Sequence, residues 1–250
     1  MEVKTIYKYP DSLEKKVTHY CPGCHHGIIH KLIAELIDEM NLLEKTIIVW
    51  PIGCSVLGYE YFKVDSCVAA HGRAPAMATG IKRANPENFV LSYQGDGDLA
   101  SIGMAEIVHA AARGEKITVV FINNTNYGMT GGQMAPTTLI GQKTTTSPYG
   151  RDPKVSGYPI KVAELLSNLE GAAYIARAAV NKPTRITQAK KFLKKAFNAQ
   201  LKEIGFSLVE FLSACPVQWH MTPLKALERI ENELIPYYPL GEFKVKEGVE

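Results

Sequence analysis

Apolar residues along this chain fall either into short unbroken runs or into stripes at helical spacing, so it reads as alternating strands and helices. The runs Thr46 to Trp50, Phe89 to Tyr93, Ile117 to Ile122 and Phe206 to Phe211 are rich in β-branched and aromatic residues and predict strands. Ile28, Ile29, Leu32, Ile33, Leu36, Ile37 and Met40 form a stripe that predicts a helix burying one face. A second helix is expected over Ala74 to Ala84, opened by His71-Gly72-Arg73. A third, with Ile102, Ala105, Ile107, Val108, Ala111 and Ala112 inward, crosses over between the second and third runs. A fourth, amphipathic, covers roughly Thr187 to Glu203, with Lys190, Lys191, Lys194 and Lys195 on its solvated face. Val64 to Ala70 looks like a buried strand, which makes Cys67 a packing residue. Strand-helix-strand units of this size imply parallel pairing with right-handed connections, so the fold class expected is α/β, a mostly parallel sheet flanked by helices.

Two signals at strand ends carry chemistry. Gly95-Asp96-Gly97 follows the second run, and Asn123-Asn124 follows the third after 25 intervening residues. Both sit at the carboxyl ends of parallel strands, where open α/β sheets bind ligands. Carboxylate and amide oxygens there suit Mg²⁺, whose octahedral shell phosphate oxygens can complete, and the glycines let backbone approach closely. The pair points to magnesium diphosphate. Gly95-Asp96-Gly97 alone would fit an ordinary turn equally well. The helix opened by His71-Gly72-Arg73 offers free amides that favour an anion; Arg73 fits a surface salt bridge as well as a site role. The aperiodic, glycine- and threonine-rich stretch from Asn123 to Arg151 reads as a long loop covering the site.

Independently, Cys21-Pro22-Gly23-Cys24, Cys54 in Ile52-Gly53-Cys54-Ser55 and Cys215 in Ala214-Cys215-Pro216 could converge on one centre. Four thiolates are the usual ligands of a [4Fe-4S] cluster or a structural zinc, and spacing does not choose between them. A redox dithiol at Cys21 and Cys24, with Cys54 and Cys215 buried as small apolar residues, is the plain alternative. His25 and His26 read as helix-start or core residues, since adjacent side chains diverge.

Taken in order, Cys-Pro-Gly-Cys, Ile-Gly-Cys-Ser, His71-Gly72-Arg73-Ala74, Gly95-Asp96-Gly97-Asp98, Asn123-Asn124, Tyr127-Gly128-Met129-Thr130-Gly131-Gly132-Gln133 and Cys215-Pro216 resemble the thiamine-diphosphate-binding β subunit of the 2-oxoacid:ferredoxin oxidoreductases. The resemblance runs from about Tyr20 to about Trp219. It implies a single thiamine-diphosphate-binding domain over 1–250 with its core at about 20–219. The tail from about 235, around Pro236-Tyr237-Tyr238-Pro239, is expected to be less regular and to pack on a partner. It further implies that Asp96, the Asn124 side chain and the Asn126 carbonyl bind Mg²⁺, and that Cys21, Cys24, Cys54 and Cys215 hold a [4Fe-4S] cluster. Ile52, Gly53, Cys54, Ser55, His71, Gly97, Asp98, Gly128 and Met129 would contact thiamine diphosphate. No catalytic residue is assigned in this chain, because the activating glutamate is expected from an α subunit carrying the pyrimidine-binding domain. Coenzyme A is the implied co-substrate, ferredoxin the acceptor, and a small ferredoxin-like subunit a further partner.

Relatives that take 2-oxoglutarate often carry a basic residue near Met129 to Gln133; this chain has Met129 and Gly131 there, with Lys143 further on. The pattern leans towards the 2-oxoisovalerate (3-methyl-2-oxobutanoate) members, with 2-oxoglutarate or pyruvate as alternatives. Non-redox readings are a thiamine-dependent decarboxylase subunit and, abandoning catalysis, a zinc-stapled interaction module. Composition narrows the field. With 250 residues and 46% hydrophobic content the chain can bury a substantial core. A net charge of +3 gives no footing for nucleic acid, and no apolar run approaches the ~18 residues needed to span a bilayer. Met1 to Thr5 lacks a signal-peptide pattern, and unpaired cysteines suit a reducing cytoplasm.

Overall fold

The four apolar runs become the centre of a seven-stranded sheet in the computed structural model, which describes residues 7–250; Met1 to Thr5 lie outside them. In chain order the elements are α1 (His26–Glu39), β1 (Thr46–Trp50), β2 (Asp65–Val68), α2 (Ala74–Ala84), β3 (Phe89–Gly95), α3 (Met104–Arg113), β4 (Thr118–Asn123), α4 (Pro153–Ser156), α5 (Val162–Ser167), β5 (Ala172–Ala179), α6 (Pro183–Leu201), β6 (Phe206–Leu212), α7 (Pro223–Arg229), α8 (Ile235–Tyr237) and β7 (Gly241–Val245). The sheet order is β2-β1-β3-β4-β6-β5-β7. All neighbours pair in parallel except β5 and β7, which are antiparallel.

Strand side chains alternate between two cores. Ile48, Trp50, Leu91, Tyr93, Val120 and Ile122 face one layer, which contains the α1 stripe and Phe192, Leu193 and Phe197 of α6. Val49, Val90, Val119 and Phe121 face the other, with Ala78 of α2, Ile107 and Ala111 of α3, and Val162 and Leu166 of α5. Each fully buried Phe or Leu contributes roughly 1.5–3 kcal/mol, so coverage on both faces explains why the central strands read as continuous apolar runs. The sheet's connections diverge between β1 and β3: the chain leaves β1 for the edge strand β2, and leaves β3 for β4 on the other side. This divergence opens a crevice beyond their carboxyl ends, the usual ligand position in such sheets.

Several expectations change. β2 is a strand, but an exposed edge one, and Cys67 is only partly buried, beside Met77 at 3.4 Å. The crossover helix starts with a π turn at Asp98–Ile102, which rotates its later residues relative to a regular α-helix. Ile107 and Ala111 therefore stay buried, whereas Ile102, Ala105 and Ala112 face outward. Lys191 and Lys194 are exposed as expected, but Lys190 folds back to Glu35 and Glu39, and Lys195 to Glu242. β5 passes unnoticed in the sequence because its alanines give neither alternation nor strand preference. The tail is more regular than expected: β7 adds to β5 as an edge strand, and Tyr238 is wholly buried.

Candidate cofactor site

Four strand ends deliver the site. Ile52 to Ser55 follow β1, Asp96 to Asp98 follow β3, Asn124 to Thr130 follow β4, and Ser213 to Gln218 follow β6. A cavity of about 460 Å³ opens among the first three. Ile52, Gly53, Cys54, Ser55, His71, Asp96, Gly97, Asp98, Asn124, Asn126, Gly128 and Met129 all line it, so every residue expected at thiamine diphosphate or magnesium comes to one place. Tyr127, Thr130, Gln133 and His26 join them.

Asp96 is buried, and loss of water pushes its carboxyl up to about 7. Its Oδ2 accepts from Thr137 Oγ1 at 2.5 Å and its Oδ1 from Gly97 N at 2.9 Å. Asn124 Oδ1 accepts from Asn126 N at 3.3 Å, and the Asn124 carbonyl accepts from Trp219 Nε1 at 3.1 Å. Asn126 Oδ1 is buried with no hydrogen-bond partner, an acceptor left over beside a carboxylate. A buried carboxylate with amide and carbonyl oxygens is a donor set that fits Mg²⁺. The glycines matter sterically at one point: a Cβ on Gly97 would lie 2.4 Å from the Tyr127 ring.

Asp98 lines the same cavity. Its Oδ1 accepts from Gly72 N at 2.8 Å and lies 2.7 Å from His71 Nδ1, while Oδ2 accepts from Gln94 Nε2 at 2.6 Å. The start of α2 was expected to meet an anion; in the fold, the Gly72 amide just before it meets this carboxylate. Gly72 needs its positive φ of 78° to make that turn. Arg73 pairs with Glu106 at the surface.

The cysteines gather next door. Cys21, Cys24, Cys54 and Cys215 line a second cavity of about 250 Å³, together with His19, Tyr20 and Gln218. A Cβ on Gly128 would lie 3.2 Å from Cys54 Sγ and 3.6 Å from Cys215 Sγ, so the loop passes in close contact with both thiols. Burial pushes the Cys24 thiol up to about 11 and those of Cys54 and Cys215 up to about 12. Among the described residues no three His, Cys, Asp or Glu side chains are gathered closely enough to hold one metal ion. All four cysteines line the one cavity, and four thiolates are a donor set that fits a metal-sulfur group. Cys67 lies elsewhere, on β2.

His25 and His26 are buried at the start of α1, as expected of core residues. Burial lowers His26 to about 3, and its Nδ1 lies 2.7 Å from the Tyr93 hydroxyl. The expectation missed a further property: His26 lines both cavities, as do Cys54, Asn124, Gly128 and Met129. No spacing rule could have found this, because the shared wall is built from the start of α1 and the ends of two strands, β1 and β4, far apart in the chain. Lys143 is exposed and does not line the cofactor cavity.

Residues 51–211 match the thiamine pyrophosphate enzyme, C-terminal TPP binding domain. The chain is 46% identical to the ketoisovalerate oxidoreductase subunit VorA of Methanothermobacter thermautotrophicus over 96% of its own length, and spans about half (53%) of that protein. It is 37% identical to the 2-oxoglutarate synthase subunit KorB of Archaeoglobus fulgidus, covering 90% of this chain and 80% of that subunit. A solved 2-oxoglutarate:ferredoxin oxidoreductase from Magnetococcus marinus, with 2-oxoglutarate, coenzyme A and succinyl-CoA bound, superposes with a TM-score of 0.79 at 27% identity, over 97% of this chain and 86% of that one. With a matched cofactor-binding domain, and with a KorB subunit and a solved oxidoreductase chain aligned along 80% and 86% of their own lengths, the chain belongs to the thiamine-diphosphate-binding β subunits of the 2-oxoacid:ferredoxin oxidoreductase family.

Proposed function

We propose that the chain is the thiamine-binding subunit of an enzyme that oxidatively decarboxylates a branched-chain 2-oxoacid, 3-methyl-2-oxobutanoate, to its acyl-coenzyme A and passes the electrons to ferredoxin. The observation that carries this reading is the common wall: one cavity with diphosphate-binding chemistry touches a cavity ringed by four thiols, with Cys54 facing both. When bound, thiamine diphosphate supplies the carbanion stabilisation that decarboxylation of a 2-oxoacid needs. This chain's own residues hold and orient it. Asp96, the Asn124 side chain and the Asn126 carbonyl would ligate Mg²⁺, while Ile52 to Ser55, His71, Gly97, Asp98, Gly128 and Met129 contact the cofactor. Cys21, Cys24, Cys54 and Cys215 would hold a [4Fe-4S] cluster, four thiolates being its usual ligand set.

The substrate end of the cavity supports an apolar tail. Met129 is 56% exposed at its mouth, and among the described residues that line it there is no Lys or Arg to pair with a distal carboxylate. The identity to ketoisovalerate oxidoreductase subunits, 46 and 47%, supports the same choice. Among the described residues that line the cavity there is no glutamate; an α subunit with a pyrimidine-binding domain would supply the activating one, and a small ferredoxin-like subunit would relay electrons. The five cysteines are free of disulfides, which suits the cytoplasm, and no helix of the described residues is long and apolar enough to cross a membrane.

The test is anaerobic purification with the partner chains, then coenzyme A-dependent ferredoxin reduction with 3-methyl-2-oxobutanoate, 2-oxoglutarate and pyruvate in parallel. The branched substrate should give the highest kcat/KM. Preference for 2-oxoglutarate would overturn the substrate assignment, and decarboxylation without ferredoxin reduction would overturn the redox one.

A further inference from the structure

One assigned magnesium ligand, Asp96, and the turn that carries the other two are each held by one of two neighbouring threonines that do not line the cofactor cavity. Thr137 Oγ1 donates to Asp96 Oδ2 at 2.5 Å across 41 residues of sequence. Thr138 Oγ1 donates at 2.6 Å to the carbonyl of Thr125, the residue between Asn124 and Asn126. Gln142 Nε2 donates to the same carbonyl at 3.0 Å. Both threonines are fully buried, so neither hydroxyl is there to meet water. Thr125 itself has a φ of +60°, an unusual conformation for a β-branched residue, so something must hold this turn.

The threonines are in turn fixed. Arg151 Nη1 donates to the Pro136 and Thr138 carbonyls on either side of Thr137, at 2.9 and 2.8 Å. The Tyr238 hydroxyl donates to the Thr137 carbonyl at 2.6 Å. Tyr238 comes from the carboxyl-terminal segment, where Arg177 lies over its ring at 5.2 Å. Arg177 pairs with Glu210 at 2.9 Å, and Glu210 Oε1 accepts from Asn123 Nδ2 at 2.7 Å. A buried chain of polar contacts thus leaves one metal ligand, passes through the tail, and returns beside the other.

We propose that Thr137 and Thr138 are positioning residues for magnesium diphosphate: adjacent hydroxyls that set the distance and orientation between Asp96 and the Asn124–Asn126 turn before the ion arrives. The inference rests on the ligand assignment made under Proposed function. Mg²⁺ tolerates little departure from octahedral geometry, so ligands drawn from two strands must be held in register. Groups that orient metal ligands typically account for about 10–100-fold in affinity. A purely structural threonine would instead stabilise the cover loop without changing what the ion meets.

The experiment uses the chain in its native complex and measures Mg²⁺-dependent thiamine diphosphate binding by calorimetry alongside thermal melting. Thr137→Val and Thr138→Val keep the side-chain volume and remove the hydroxyl; each should weaken Mg²⁺ binding by about tenfold or more, while Thr137→Ser stays within about twofold of the parent. Wild-type affinity in both valine variants, whatever their melting temperatures, overturns the proposal. If the valine variants do not fold, Tyr238→Phe removes only the hydroxyl behind Thr137 and should weaken Mg²⁺ binding by about threefold; unchanged affinity there overturns it. Asp96→Ala separates the two levels: full affinity in that variant refutes the ligand assignment, whereas loss there with none in the threonine variants refutes the positioning role alone.

Discussion

In the cofactor cavity the acidic side chains already have their hydrogen-bond donors: Asp96 is held by Thr137 and Gly97, and Asp98 by Gly72 and Gln94. Across the shared wall the thiols of Cys24, Cys54 and Cys215 are raised by burial to about 11–12, so near neutral pH they are protonated and poor ligands until a metal displaces the proton. Asp96 in the first cavity, at about 7, is already partly ionised near neutral pH, whereas these three thiols of the second start almost wholly protonated. Loss of the proposed cluster should therefore disturb the thiol side first and leave affinity for magnesium diphosphate largely in place.

The largest effect expected is on the thiol side. Cys215→Ala should reduce iron and acid-labile sulfide from about four of each per chain towards none, with loss of the broad absorption near ~400 nm, while Cys67→Ala keeps both. Equal loss in the two variants would break the distinction between the cavity thiols and the edge-strand cysteine. Zinc in place of iron and sulfide would instead favour the non-redox readings.

On the cofactor side, Asp96→Ala removes a charged oxygen ligand and should weaken Mg²⁺-dependent thiamine diphosphate binding by about 100-fold, with iron content unchanged. Calorimetry and metal analysis on one sample read both cavities at once, and parallel losses would mean that they form a single unit.

Acidity sharpens the contrast further. The Asp96 carboxyl, ordinarily near 3.8, is raised to about 7 in the folded chain and must shed its proton to ligate the ion. Mg²⁺ affinity should therefore fall as the pH drops below about 7, by up to about tenfold per unit, and level off above it. The sign for metal-free stability is opposite. A raised carboxyl pKa gives a contribution that is full below 3.8 and lost as the pH rises through about 7, so in melting curves added Mg²⁺ should stabilise most at the alkaline end.

The smallest effect concerns substrate choice. Met129→Lys places a cation at the cavity mouth and should raise kcat/KM for 2-oxoglutarate relative to 3-methyl-2-oxobutanoate by about fivefold, as expected of an exposed charge pair worth ~1 kcal/mol. The same change at Gly131 is a poorer test, because its φ of +115° strains any other residue. No shift in preference would mean that the residue selecting the substrate tail lies elsewhere.

The central strands, α1, α2 and α6 were legible because burial on both sheet faces demands apolar runs, and a half-buried helix demands a stripe. That Asp96 and Asn124 line one cavity and the four cysteines another was legible because the first two follow strand runs and the cysteines include a close pair, Cys21 and Cys24. The alanine strand β5 and the edge strand β7 were not, since neither carries an alternating pattern strong enough to separate from loop. The sequence by itself determined the order of the central strands and their main helices, and which side chains bring chemistry to the carboxyl edge of the sheet. Only the tertiary structure decided that His26 belongs to the wall between two cavities, that Thr137 and Thr138 hydrogen-bond Asp96 and Thr125, and that Tyr238 of the tail returns to hold Thr137. Periodicity records whether a residue is buried; which residue it is buried against depends on how distant segments pack, and no local pattern encodes that.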